Sequence, residues 1–125
     1  MVHLKLDTGM SRIGLQTNEA GLQAAEAILG MKGLEVEGIF SHFSKGDEYD
    51  KTFAYHQLEA FNGFYEQLVQ RTGIRIPIRH MAASSAIIDI PEGYLDMVRP
   101  GIMLYGFQPS TEMHNIADIK PALVW

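Results

Sequence analysis

What most constrains this chain is the order in which its apolar pattern changes period. A short alternating run, Val2–Asp7, breaks at a Gly-bearing loop and gives way to a stretch over 18–31 in which Leu22, Ala25, Ile28 and Leu29 recur at helical spacing. Thr17 or Asn18 can cap that helix, and Gly30 and Gly33 can stop it. An alternating run over 34–43 predicts a second strand, and the polar loop SKGDEYD follows it. Over 52–71 the residues Ala54, Leu58, Phe61, Tyr65 and Leu68 fall at i, i+4, i+7, i+11 and i+14, the clearest helix in the chain, and Thr72-Gly73 ends it. A third strand is expected over 76–82, with Pro77 near its start, where a missing ladder donor is tolerable. A short helical turn through Ile87 and Ile88 is interrupted by Pro91-Glu92-Gly93 and leads to a fourth expected strand with its loop at 102–106. The run 122–125 reads as the start of another strand.

Strands that alternate with helices are joined by right-handed crossovers, and that makes the sheet parallel and the class α/β. Four β/α units amount to about half of a TIM-type (β/α)8 barrel, whose usual size is roughly 250 residues. Half a barrel leaves two unpaired sheet edges, so the chain is either a compact open sheet or a fragment. A chain that opens directly inside a strand and closes on a severed one favours the fragment, with 1–125 forming one partial barrel domain.

Composition removes several function classes. A formal charge of −5 without any basic run argues against a nucleic-acid partner, and no apolar stretch approaches the roughly 20 residues that cross a bilayer. There is no cysteine, hence no disulfide frame or thiolate cluster, which fits a reducing cytoplasm. The opening Met1-Val2-His3 lacks the basic and apolar regions of a signal peptide. Five histidines without tight ligand spacing argue against a metal site. No GxSxG elbow, Walker loop or GxGxxG occurs.

The candidate site residues come from successive strand ends, where parallel α/β folds keep their chemistry. Lys5, Asp7 and Arg12 belong to the first strand and its loop, His42 to the end of the second, Ser84 to the segment after the third, and Arg99 with Gly101 and Ile102 to the fourth. Ser84 and the backbone N–H groups of Gly101 and Ile102 could cradle a phosphate, because glycine allows close approach and amides donate without a mobile charge. Arg12 and Arg99 can each present a planar donor fork to an oxygen or ring nitrogen. Each residue also has a plain structural reading: Arg12 as an ion-pair partner of Asp7, His42 as a satisfied core histidine, Gly101 as a turn, and His3 and His80 as structural.

Taken together, the motifs KLDTGMSRIG (5–14), EGIFSHFSKGDE (37–48), RHMAASSA (79–86) and MVRPGIMLYG (97–106) resemble the alanine racemases, fold-type III enzymes that use pyridoxal 5′-phosphate. The first and last motifs are specific to that family, and all four occur in the family's order. The resemblance implies that Arg12 bonds the cofactor's phenolic oxygen and that Lys5 matches a lysine carbamylated to hold it. A carbamate is an anion, so it attracts Arg12 instead of repelling it. It implies further that Arg99 faces the pyridine nitrogen, that His42 links this arginine to a catalytic tyrosine, and that Ser84, Gly101 and Ile102 form the phosphate cup. Ala83 departs from the asparagine the family often places beside that serine.

The implied reaction interconverts L- and D-alanine for peptidoglycan precursors, by proton removal from Cα on one face and return on the other. Its two bases, a cofactor-bearing lysine and a tyrosine from the partner subunit of a homodimer, are expected upstream of Met1 and beyond Trp125. No lysine of this chain sits in a motif matching the cofactor-bearing lysine. The chain alone is therefore expected to be inactive, with no metal, nucleic acid or membrane partner. Alternatives are a non-catalytic pyridoxal-phosphate-binding module, a racemase for serine or other amino acids, and a purely structural domain.

Overall fold

The computed structural model describes residues 1–121. Its elements are β1 (Val2–Asp7), β2 (Leu15–Gln16), α1 (Glu19–Leu29), β3 (Val36–Phe40), α2 (Thr52–Thr72), β4 (Ile78–His80) and α3 (Ser84–Asp89), with single 3-10 turns at Pro91–Gly93 and Ile102–Tyr105. The four strands form one sheet in the order β2-β1-β3-β4, and every neighbouring pair is parallel. The fold is thus of the expected α/β class.

The helices form where the apolar stripes predict them. Asn18 caps α1 by accepting from the Gly21 N–H at 3.0 Å, and α2 ends where Gly73, at φ +69°, turns its N–H back onto the Val69 carbonyl at 2.8 Å. α1 packs beside α2, and Arg71 at the end of α2 reaches Glu19 and Glu26 on α1. Side chains alternate along a strand, so Leu4 and Leu6 of β1 and Ile39 of β3 turn one way, into a core with Leu22, Ala25, Leu58, Phe61 and Leu68 of the two helices. Each such large apolar side chain contributes about 2 kcal/mol by leaving water. The opposite face carries His3 and Lys5 of β1, Phe40 of β3 and His80 of β4, with Lys5 paired to Phe40 and Phe40 to His80 in the register. That second face is what the site uses.

The structure corrects the sequence reading in three respects. The run 102–106 is no strand: Ile102–Tyr105 forms a 3-10 turn, with Ile102, Leu104 and Tyr105 exposed. Pro100 has no N–H, and the next donor, on Gly101, bonds the Ser84 hydroxyl at 2.9 Å, so no ladder can continue. The chain meets the edge of β4 only just before, where Asp96 N–H bonds Arg79 O, Arg99 N–H bonds Ala82 O, and Ala83 and Arg99 form an isolated parallel bridge. The fourth strand of the sheet is instead the two-residue β2, at the other edge. The loop returns alongside β1 because Gly14 takes φ +130°, and a Cβ there would lie 2.7 Å from the Asp7 backbone nitrogen. β3 and β4 are also shorter than the runs 34–43 and 76–82. The strand read at 122–125 lies outside the described residues.

Candidate functional site

The strand-end residues converge, and Arg99 stands at the centre. Its Nη1 lies 2.6 Å from His80 Nδ1, while its Nη2 donates to the carbonyls of Ser41 at 3.0 Å and Met81 at 3.2 Å and lies 3.3 Å from His42 Nδ1. Its guanidinium carbon sits 5.4 Å from the centroid of the Phe40 ring, and that ring stacks on His80 at 4.8 Å and 5°. A guanidinium has no acceptor, so both histidine Nδ1 atoms must be bare and a neutral His42 carries its proton on Nε2. Burial lowers the pKa of Arg99. Burial first, then the charges of Arg99, Arg12 and Lys5, lower that of His42, which keeps the ring neutral.

Arg12 reaches the same rim from the loop after β1. It is exposed, yet its charge acts on both His42 and Lys5. Asp7 is not its partner: the Asp7 Oδ1 accepts from the N–H groups of Gly9 at 3.0 Å and Ser11 at 2.9 Å, and these bonds hold its pKa down. The carboxylate thereby folds the loop that carries Arg12. Lys5 donates to the Leu6 carbonyl at 2.6 Å and sits 5.4 Å from the Phe40 centroid; burial is the main cause lowering its pKa, Asp7 opposes, and Arg99 and Arg12 add to the lowering. A lysine with a lowered pKa spends more time as the free amine that carbamylation needs.

Ser84, 5% exposed, accepts from Gly101 N–H at 2.9 Å and Met103 N–H at 3.4 Å. Ser84, Gly101 and Ile102 line one depression of about 370 Å³ together with His42, Met10 and Asp47. A larger depression of about 610 Å³ beside Tyr49, Lys51 and Asp89 has its polar groups already satisfied, since Lys51 Nζ pairs with Asp89 at 2.9 Å and Asp89 also accepts from His114 and Asn115. The first depression is the one lined by the candidate residues His42, Ser84, Gly101 and Ile102. Its surroundings carry Lys5, Arg12 and Arg99 against two carboxylates, Asp7, committed to backbone donors, and Asp47 in the lining.

Two residues in this arrangement escaped the sequence reading. His80, read as structural, is in direct contact with Arg99. Gln57, 1% exposed on the apolar stripe of α2, ties the loops after β1 and β3 together. Its Oε1 accepts from the Ser44 N–H at 2.9 Å and hydroxyl at 3.2 Å, and its Nε2 donates to Thr8 Oγ1 at 3.2 Å and the His42 carbonyl at 3.1 Å. A polar residue inside an otherwise apolar helical stripe was the available signal. Ser41 extends the tie, donating to the Leu6 carbonyl at 2.8 Å and meeting Thr8 Oγ1 at 2.8 Å.

Comparison with known proteins gives a consistent result. A family profile described as "Alanine racemase, N-terminal domain" matches residues 1–109. The chain is 45% identical over 122 residues to alanine racemase 2 of Caldanaerobacter subterraneus subsp. tengcongensis, covering 98% of this chain and 31% of that protein. It is 47% identical over 124 residues to the alanine racemase of Clostridium perfringens strain SM101, covering 98% and 32%. Among solved structures, the alanine racemase of Clostridium difficile 630 in complex with cycloserine matches with a TM-score of 0.87 and 36% identity over 96% of this chain and 32% of that one. The alanine racemase of Bacillus anthracis with bound L-Ala-P matches with a TM-score of 0.82 and 28% identity over 95% and 31%. The chain thus spans about a third of the length of the curated relatives it matches, and its sheet is part of a β/α barrel.

Proposed function

The chain belongs to the alanine racemase N-terminal domain family, and on that footing we propose that residues 1–125 are the second half of the pyridoxal-phosphate barrel domain of an enzyme that interconverts L- and D-alanine. The observation that carries this reading is the gathering of Arg99, His42, Arg12 and Lys5 beside the depression formed by Ser84, Gly101 and Ile102. The donor set fits the cofactor: three cations, with the Asp7 carboxylate committed to backbone donors and Asp47 the other carboxylate at the depression, leave an excess of positive charge for a group with a phosphate and a phenolate oxygen. When bound, pyridoxal 5′-phosphate supplies an electron sink that makes Cα of an amino acid acidic.

This chain's own residues bind and tune. Arg99 would face the pyridine nitrogen, and because a guanidinium does not readily give up a proton, it would leave that nitrogen unprotonated and limit how far negative charge spreads from Cα. The consequence is fewer side reactions. His42, neutral with its proton on Nε2, passes a hydrogen bond from Arg99's neighbourhood towards the tyrosine that returns the proton. Arg12 would hold the phenolic oxygen, and a carbamylated Lys5 would hold Arg12. The Ser84 hydroxyl and the N–H groups of Gly101 and Ile102 would hold the phosphate, for which the Gly101 N–H would leave Ser84 Oγ. Neither proton-transfer base is assigned to a residue of this chain, so the chain alone racemises negligibly; the whole enzyme is a cytoplasmic homodimer that supplies D-alanine for peptidoglycan.

The test is binding of pyridoxal 5′-phosphate to the chain, followed by absorbance with inorganic phosphate as competitor. Saturable, phosphate-sensitive binding that Arg99→Gln weakens about 10-fold or more is expected, since a charge-assisted hydrogen bond is worth about 1.5–3 kcal/mol. No binding at millimolar cofactor removes the proposal. Exchange of the alanine α-proton into heavy water at the rate of a complete racemase would show that the bases are misplaced.

A further inference from the structure

Behind Arg99, on the side away from His42, side chains from three strands stand in line. His80 Nε2 lies 2.8 Å from His3 Nδ1, and His3 Nε2 lies 3.5 Å from Glu37 Oε1. Phe40 flanks both imidazoles, stacked on His80 at 4.8 Å and edge-on to His3 at 6.5 Å. Gly38 makes room for the outer one, because a Cβ at 38 would lie 2.3 Å from His3 Nδ1. The charged and titratable groups in contact with His3 are Glu37 from β3 and His80 from β4, with Arg99 next along the line.

The protons along this line are fixed by Arg99. A guanidinium only donates, so His80 Nδ1 accepts across 2.6 Å and the proton of neutral His80 sits on Nε2. That proton goes to His3 Nδ1, which places the proton of neutral His3 on Nε2, facing Glu37. All the bonds then run one way, from buried cation to half-exposed carboxylate. Burial, Arg99 and His3 push the pKa of His80 down to about 4, so His80 keeps one proton well into the acid range.

A second proton on His3 breaks the order. Its Nδ1–H would face the His80 Nε2–H across 2.8 Å, and moving the His80 proton to Nδ1 only transfers the conflict to Arg99 Nη1. Two donors oppose one another in either arrangement. A contact in the line must open.

We propose that His3 and Glu37 are positioning residues for Arg99: with His3 neutral the line holds the guanidinium in place, and proton uptake by His3 at the half-exposed end releases it. The use made of Arg99 rests on the cofactor reading above, but the line itself does not. Glu37 Oε1, 3.5 Å from His3 Nε2, closes the outer end of the line.

The test uses the chain labelled with ¹⁵N-arginine and ¹⁵N-histidine and followed by nuclear magnetic resonance from about pH 8.5 to about pH 5. The Arg99 side-chain and His80 ring signals are expected to move with the same midpoint as the His3 ring, while the methyl signals of Leu6 and Ile39 stay fixed and report an intact fold. His3→Asn retains an acceptor near the position of Nδ1 and does not titrate, so Arg99 should hold its alkaline position throughout. Glu37→Ala removes the acceptor facing His3 Nε2 and should shift the His3, His80 and Arg99 signals together at the alkaline end of the series. A His3 ring signal that moves with pH while Arg99 and His80 stand still, or an Arg99 signal untouched by Glu37→Ala, overturns the proposal. Co-titration in a chain that fails to bind pyridoxal 5′-phosphate would keep the line and remove the cofactor reading.

Discussion

Replacing Gln57 by leucine separates the contribution of the buried amide from that of the stripe it interrupts. Four partners lose a bond, but the Thr8 hydroxyl keeps Ser41 at 2.8 Å and the Ser44 hydroxyl can rotate. Two groups, the Ser44 N–H and the His42 carbonyl, are left with no replacement. A buried unpaired backbone group costs about 1–3 kcal/mol, so the two cost about 4, and burying the leucine returns roughly 2. The expected net loss is about 2 kcal/mol. In urea, with m near 1–3 kcal/mol/M, that lowers the unfolding midpoint by about 1 M without changing m. Amide exchange at Thr8, Gly9 and Ser44 should quicken as the two loops come apart, and with them the registration of Arg12 against His42. Gln57→Glu supplies the control: its carboxylate still accepts from Ser44 but opposes the His42 carbonyl, so its deficit should exceed leucine's at neutral pH and shrink in acid as the carboxyl protonates. A leucine variant as stable as the parent, with unchanged exchange at these amides, would refute the reasoning.

Further outcomes follow from the same packing. The pKa of His80 is lowered on folding from 6.5 to about 4, so its neutral form contributes stability that is whole above 6.5 and drains away as pH falls towards 4. At about 1.4 kcal/mol per unit this is roughly 3 kcal/mol at most, and urea midpoints measured against pH should show a drop that His80→Asn flattens. Gly38→Ala drives a methyl into the His3 ring; about 1–3 kcal/mol of stability should be lost, and the His3 and His80 ring signals should shift while those of α1 stay in place. Leu6→Ala leaves a void in a side chain that is 0% exposed in the core and should cost about 3 kcal/mol by the same urea assay.

Much of the fold could be read along the chain because local period is a local property. The stripe Ala54–Leu58–Phe61–Tyr65–Leu68 sets α2 whatever packs against it, Asn18 and Gly73 mark helix ends by their own conformational preferences, and the alternation in Val2–Asp7 sets β1. Parallel pairing follows from the crossovers, and the motifs around Arg12, His42, Ser84 and Arg99 supplied the candidate residues that the fold brings near one another. Tertiary structure decided the rest. The run 102–106 has the composition of a strand, but its first donors are absent at Pro100 and taken by Ser84 at Gly101, and only the fold brings Ser84 there. β2 is two residues long and exists because Gly14 returns the loop to the edge of β1. Gln57 and His80 belong to the site through partners 49 and 19 positions away, Thr8 and Arg99. Sequence fixes which donors and acceptors a chain owns; which of them meet depends on register and crossover geometry, and these are set by burying the common core, to which no single segment holds the key.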